Sequence, residues 1–392
     1  MITQVRITNF KAIRSAAVDL TPIHLLIGPN DSGKTSVLEA LAAICRSVDH
    51  SAPESFVGRW QGRELVNAAA EMQLVEIAIT AVSQQGTFDY RLEAEFSGSG
   101  RDTRWSAAEI NVDGENKSIL SDNPQHTLPW YSRLSTQHAK RAEHRPEMSW
   151  ATLLETAISG CWYLRWTARN LALPTALNPD RRFRLEGNGF GLPTLIDDLL
   201  NYDRDSFSAL ESEFIEIFPN VKSIALVQQQ GFNSPVDQAD DTLSLQPSPG
   251  KQVVFRLKNS NRDLPASQAA EGMLYILGYL ALMYLPTPPR VLLIEEPENG
   301  IHPHRVGDIV RILRGLVARH PGTQIVLTSH SPYLVDAFQP NEVTWCHREP
   351  SGDVVLTRLD TLPEVERSLS IFSLGEIWTG ELEPSSSVEA TE

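Results

Sequence analysis

The sequence predicts an α/β protein: a mixed β-sheet flanked by helices, with an N-terminal antiparallel β meander and an inserted helical or irregular lid. Three stretches carry this. The apolar run "IHLLIG" (23–28) leads through "GPNDSGKT" into a helical pattern over 34–47. The run "VLLIEE" (291–296) delivers two carboxylates, and "QIVLTSH" (324–330) ends on a histidine. Apolar runs without alternation mark strands buried on both faces, as in a sheet covered by helices.

In chain order, "ITQVRITNF" alternates apolar and polar residues, the period of a half-buried strand. "MQLVEIAIT" and "TFDYRLEAEF" repeat that period and suggest a meander. From about 97 to 150 the text is polar and irregular, and loops with short helices are expected. "CWYLRW" (161–166), "VKSIALVQQQ" and "KQVVFRLK" read as strands, and "LPTLIDDLL" and "FSALESEFIEIF" as helices. After Ser267 an apolar helix runs to Leu285, and 305–319 form another. The chain is thus expected to divide into 1–96 and 251–382, the two parts of one core, a lid or arm at 97–250, and a disordered tail at 383–392. There is no internal repeat and no sustained heptad.

Composition narrows the function. The 392 residues are 41% hydrophobic, ample for a large core, and carry a net charge of −15. That charge excludes an evenly basic nucleic-acid coat but not a local basic patch. Cys45, Cys161 and Cys346 are sparse and form no CxxC pair, which reads as reduced thiols in a cytoplasm. "MITQVRITNFKAI" lacks the apolar core of a signal peptide. The most apolar stretch, "MLYILGYLALMYL", falls short of a membrane span and ends at Pro286, so it reads as a buried helix.

Gly28-Pro29-Asn30-Asp31-Ser32-Gly33-Lys34-Thr35 fits GxxxxGK[ST] between a strand and a helix, the context a phosphate-cradling loop requires. In such a loop Gly33 lets backbone approach oxygen atoms, and the helix N-terminus meets negative charge. Lys34 reaches the β- and γ-phosphates, and Thr35 offers a hydroxyl to Mg²⁺. The bland alternative is a glycine-rich turn that matches by chance. Glu295 and Glu296 stand at a strand end, where open α/β sheets place ligands. Glu295 suits Mg²⁺, and Glu296 suits the orientation or deprotonation of an attacking water. A solvated strand end is the alternative. His330 is placed to hydrogen-bond a γ-phosphate oxygen, whereas His302 and His304 lack the Cys or carboxylate neighbours of a metal site and read as packing or turn residues.

These three stretches, in this order, resemble the heads of ABC-type ATPases, specifically the RecF/SMC-like and OLD-like AAA-family ATPases of bacteria. The likeness runs from Ile2 to about Trp378 and includes "VRITNFKAIRS", "GLPTLIDDL", "FIEIFPNVKSI" and "LPASQAAEGMLYILGYLALM". It implies an ATP–Mg²⁺ sandwich between two copies, each nucleotide held by one chain's loop, Ser36 included, and by the partner's signature helix. Ala270, Glu271 and Gly272 then occupy the place of a Ser-acidic-Gly triplet, Asn299 and Gly300 fall in a segment that crosses the dimer, and His330 becomes the switch histidine. Three departures stand out. Ala270 lacks a hydroxyl, Glu295 replaces the more usual Asp, and no convincing glutamine loop exists: Arg165 and Arg169 sit where one is sought, and Gln73 is the weaker candidate.

The chain after His330 is short and lacks the carboxylate clusters of a TOPRIM nuclease, so cleavage by this chain alone is not expected. The leading expectation is an ATPase whose dimeric closure regulates a neighbouring-gene effector such as a nuclease, in DNA maintenance or phage defence. Arg101, Arg104, Arg141, Arg145, Arg181, Arg182 and Arg184 are candidate DNA phosphate contacts, with solvated surface as the alternative. A nucleotide-binding scaffold with little turnover and an ABC transporter's nucleotide-binding subunit are the other readings; no membrane contact is expected under the first.

Overall fold

The computed structural model describes residues 1–48, 50–58, 61–83, 86–97, 102–118, 149–177, 183–233 and 248–382. It divides into two compact units. The first comprises Met1–Trp162, Pro289–Glu296 and Gly322–Glu392, and the second Tyr163–Pro288 and Pro297–Pro321.

The first unit opens with β1 (Ile2–Phe10), β2 (Ile13–Asp19) and β3 (Ile23–Ile27), followed by helix α1 (Lys34–Arg46). Strands β4 (Leu74–Ser83), β5 (Gly86–Ser97), β6 (Asp102–Val112) and β7 (Glu115–Ser118) and helix α2 (Ser149–Ile158) come next. The antiparallel sheet has the order β2-β1-β4-β5-β6-β7, so the meander is present and longer than the sequence suggested. The loops and short helices expected from 97 are not what 102–118 form: β6 puts Ala108 and Ile110 in the core against β5, while its polar residues face outward. The polar text was one face of a hairpin. On that outer face Arg91 bonds Glu76, Glu93 and Glu109 from three adjacent strands.

Strand β8 (Cys161–Leu164) has its first two residues in the first unit. The second unit then contains β9 (Thr175–Ala176), α3 (Leu192–Tyr202), α4 (Arg204–Ile217), β10 (Val221–Gly231), β11 (Ser248–Leu257), β12 (Leu264–Pro265) and α5 (Glu271–Met283). The chain returns to the first unit for β13 (Val291–Glu295), leaves it for α6 (Val306–Arg319), and re-enters it for β14 (Gln324–Ser329), β15 (Val343–Arg348) and β16 (Val354–Arg358). In the second unit β10 and β11 make a long antiparallel pair extended by β12 and β9. The apolar helix of the sequence begins at Glu271 rather than just after Ser267, because Leu264–Pro265 pairs with β11 and Ala266–Gln268 form a 3₁₀ turn.

The second sheet has the order β16-β15-β3-β14-β13-β8. Its central strands are parallel, with Ile325 opposite both Ile23 and Leu292, Ser329 opposite Ile27, and Glu295 opposite Thr328. Every residue of β3 and β14 is buried, the reason both read as unbroken apolar runs. Gln324, at the start of β14, ties this sheet to the first one. Its side chain accepts from Ile2 N (2.9 Å) and donates to the carbonyls of Ile2 (2.8 Å) and Thr21 (3.0 Å). Beneath the same end, His24 is buried between the hydroxyls of Thr21 and Thr344 (3.1 and 2.9 Å). Burial, helped by the nearby Arg358 charge, lowers its pKa to about 3.

Candidate functional site

The register fixes where the candidate side chains meet. Ile27, Ser329 and Glu295 end β3, β14 and β13 on the same edge of the parallel sheet. The residues just beyond them are Gly28, His330 and Glu296. The sheet thus converges three stretches that lie about three hundred residues apart at their extremes.

The loop Gly28–Gly33 has a backbone that ordinary side chains resist. Gly28 has φ 144, and a Cβ there would stand 2.1 Å from the Cys346 carbonyl oxygen. Gly33 has φ 91, and a Cβ would meet Val354 at 2.9 Å. Asp31, although not glycine, is left-handed at φ 65. Gly33 is also the N-cap of α1 and supplies no side-chain cap, so the first N–H groups of a thirteen-residue helix keep their capacity for an anion. Lys34 is buried, and its Nζ donates to the carbonyls of Gly28 (2.6 Å) and Pro29 (2.7 Å). Ser32 Oγ is buried without a hydrogen-bond partner among the described residues. Pro29, Asn30 and Thr35 are exposed at the rim, while Ser36 is buried. Two close backbone approaches, a buried ammonium, an open helix start and an orphaned hydroxyl are the donor set a polyphosphate requires.

Glu296 adopts φ 45, a left-handed conformation that costs a non-glycine residue roughly 1–3 kcal/mol. Its N–H holds the bend by donating to the Thr328 carbonyl (3.0 Å) and hydroxyl (3.3 Å). The bend lets Glu295 finish the strand while the Glu296 carboxylate approaches His330, with Oε1 and Nδ1 3.3 Å apart. Both side chains remain part-exposed, and Glu295 is half-buried. A base that must reach a water benefits from such partial exposure.

Ala270, Glu271 and Gly272 lie in the second unit, at the start of α5. Ala270 is the N-cap and makes no side-chain cap bond. A Cβ at Gly300 would stand 2.7 Å from the Glu271 carboxylate, so the segment after the carboxylate pair lies against the helix start. Tyr279 stacks on Trp166 (centroids 4.7 Å apart), and the Tyr275 hydroxyl donates to the Trp166 carbonyl (3.4 Å).

Other candidates are simpler. Gln73 is exposed in the bend just before β4 and accepts from Arg63 (3.1 Å). Arg104 is paired with Glu95 (2.6 Å), and Arg184 is exposed. Arg101, Arg141, Arg145, Arg181 and Arg182, and the tail 383–392, lie outside the described residues. His302 and His304 stack on each other, His302 Nδ1 accepting from His304 N (3.4 Å), and no metal-ligand cluster occurs among the described residues. Among those residues no helix is long and apolar enough to cross a membrane. Sequence reasoning missed the β15–β16 hairpin, whose Cys346, Arg348 and Val354 touch the loop, and the Thr328 hydroxyl. A hairpin remote in sequence leaves no signal in the loop's own spacing. The Cys346 thiol is buried, and desolvation pushes its pKa up to about 12.

Residues 23–336 match the family described as "AAA domain, putative AbiEii toxin, Type IV TA system". The chain belongs to this AAA domain family. Similar solved structures include an Smc head bound to the C-winged helix domain of ScpA, with 13% identity and a TM-score of 0.53 over 91% of this chain and 96% of that one. Others are the SMC head domain from Thermotoga maritima (12%, 0.44, 91% and 98%) and an Smc head with an extended coiled coil bound to the C-terminal domain of ScpA from Pyrococcus furiosus (11%, 0.48, 94% and 99%). At such identities the likeness is one of fold. No curated protein matches the chain. The chain is thus an AAA domain whose fold is similar to that of an Smc head.

Proposed function

We propose that this chain binds and hydrolyses ATP with Mg²⁺ and closes as a homodimer. In that reading each nucleotide lies between one copy's phosphate loop and the other's signature helix, and closure regulates a partner effector. The supporting observation is the convergence of the loop, Glu296 and His330 at one edge of the parallel sheet, with Glu296 and His330 3.3 Å apart. Gly28, Pro29, Asn30, Asp31, Ser32, Gly33 and Ser36 form the cradle, and Lys34 neutralises the β- and γ-phosphates. Thr35 and Glu295 would hold Mg²⁺, which supplies charge neutralisation when bound. Glu296 orients the attacking water and takes its proton, while His330, beside Glu296, hydrogen-bonds a terminal phosphate oxygen. Ala270, Glu271 and Gly272 present the α5 N-terminus to the partner copy's phosphates. Segments 1–96 and 251–382 serve as the head, with the lid drawn from 97–250 outside the β6–β7 hairpin, which completes the first sheet.

The effector we favour is a neighbouring-gene protein such as a nuclease, in cytoplasmic DNA maintenance or phage defence, with DNA as a candidate ligand. A family description that includes a toxin of a toxin–antitoxin system is in keeping with a paired role. The test is sedimentation of Glu296→Gln with and without ATP–Mg²⁺. The variant should bind ATP and shift to dimer or a higher oligomer, and an unchanged sedimentation profile would count against the sandwich. A second reading, a nucleotide-binding scaffold with little turnover, draws on the uncapped Ala270. Phosphate release per chain separates the two.

A further inference from the structure

An aspartate in a loop that receives a polyphosphate is an electrostatic liability. Asp31 is such a residue, and its carboxylate is 85% exposed. Arg348, the last residue of β15, answers it with three donors. Its Nε donates to the Asp31 carbonyl (2.9 Å), Nη2 to Asp31 Oδ1 (3.3 Å), and Nη1 to the Gly352 carbonyl in the β15–β16 turn (2.6 Å). Two further contacts come from the same hairpin, the Cys346 carbonyl beneath Gly28 and Val354 beside Gly33. The hairpin thus touches the loop at its first residue, its middle and its last.

We propose that Arg348 is a positioning residue of the phosphate loop: it pins the left-handed Asp31 backbone to the β15–β16 hairpin and cancels the Asp31 carboxylate, so that the loop meets a polyphosphate without a net negative charge of its own. The inference rests on the nucleotide-binding reading. An exposed ion pair by itself is weak. Here the planar guanidinium spends its fork on two carbonyls as well, which fixes the charge in place. The bond to the Gly352 carbonyl keeps the guanidinium on the hairpin side, and Arg14 adds a looser contact to Asp353 in the same turn (3.9 Å).

The experiment is equilibrium dialysis of ATP, ADP and adenosine, each with Mg²⁺, against wild type, Arg348→Ala, Asp31→Asn and the double variant. Arg348→Ala should weaken ATP about tenfold, which is about 1.4 kcal/mol, ADP less, and adenosine hardly at all. Adding Asp31→Asn to it should recover about threefold, since no carboxylate is then left to repel the phosphates. Equal ATP affinity of Arg348→Ala and wild type overturns the proposal, and so does a loss that Asp31→Asn leaves unrelieved. Should Arg348→Ala melt early without nucleotide, Asp31→Asn alone carries the test: its uncancelled guanidinium should tighten ATP a few-fold, and unchanged affinity overturns the proposal. If wild type fails to bind either nucleotide, the nucleotide reading itself is at fault; if it binds and Arg348→Ala binds equally well, only the present inference falls.

Discussion

The phosphate-loop end of the first unit and the start of α5 in the second are both helix N-termini, and the proposed function gives both the same kind of ligand, yet they are built differently. At α1 the approach is crowded. Gly28 and Gly33 leave no room for a Cβ, Lys34 is buried on two carbonyls, and Arg348 grips Asp31. At α5 the approach is plainer: Ala270 makes no side-chain cap, and Glu271 and Gly272 open the first turn. What holds α5 lies further along, in its buried apolar residues and the Trp166–Tyr279 stack. One end is specified by local backbone and polar geometry, and the other by the packing of the rest of its helix. Damage should therefore concentrate at the first and be mild at the second.

Five changes test that contrast, in falling order of effect. Glu296→Gln should keep nucleotide binding and lower turnover about 10²–10⁴-fold, the span of a lost general base. Steady-state phosphate release checks it, and turnover equal to wild type removes Glu296 from that role. Lys34→Ala should weaken ATP on the order of 100-fold, or about 2.7 kcal/mol, because the buried ammonium is lost. Unchanged affinity in dialysis would break the cradle assignment. Gly28→Ala should cost about 2 kcal/mol or more in urea unfolding, since its Cβ would stand 2.1 Å from the Cys346 oxygen. A stable variant with intact binding would mean the loop is looser than its contacts imply.

His24 sharpens the comparison from the opposite end of β3, away from the loop. Its folded pKa of about 3 lies below the ordinary value of 6.5, so between those values the unfolded chain holds a proton that the folded chain refuses. Its contribution to stability is complete above about pH 6.5 and declines as pH falls through that window, by at most about 1.4 kcal/mol per pH unit. Urea midpoints at pH 7.5 and 5.5 should show His24→Gln with a smaller acid loss than wild type, and equal losses would refute it. The smallest effect belongs to Ala270→Ser. A serine hydroxyl there adds a donor for the partner copy's phosphate, so turnover should rise, or closure tighten, a few-fold. No change in either would make the hydroxyl irrelevant in this chain.

The legible parts of the molecule were those in which neighbours in sequence do the work. "IHLLIG", "VLLIEE" and "QIVLTSH" declared themselves as strands because a strand covered on both faces needs apolar side chains throughout. The loop between Gly28 and Thr35 was legible because its backbone demands glycine at fixed spacing. The hairpin at 102–118 was not, since half its side chains face outward and imitate a loop. Nor was the grip of Arg348 on Asp31, which joins residues that meet only because β15 pairs with β3. The bend at Glu296 was hidden as well. A carboxylate pair after a strand says nothing of φ, which the Thr328 partner holds.

The burial of Cys346 has a practical consequence. Its thiol is buried on β15, the strand whose Cys346 carbonyl lies beneath Gly28, so it reacts with an alkylating reagent only when its surroundings open. With Cys45 and Cys161 replaced by serine, the labelling rate becomes a clock for that opening. A ligand that settles on the loop should slow the clock in proportion to how firmly it closes the floor beneath it.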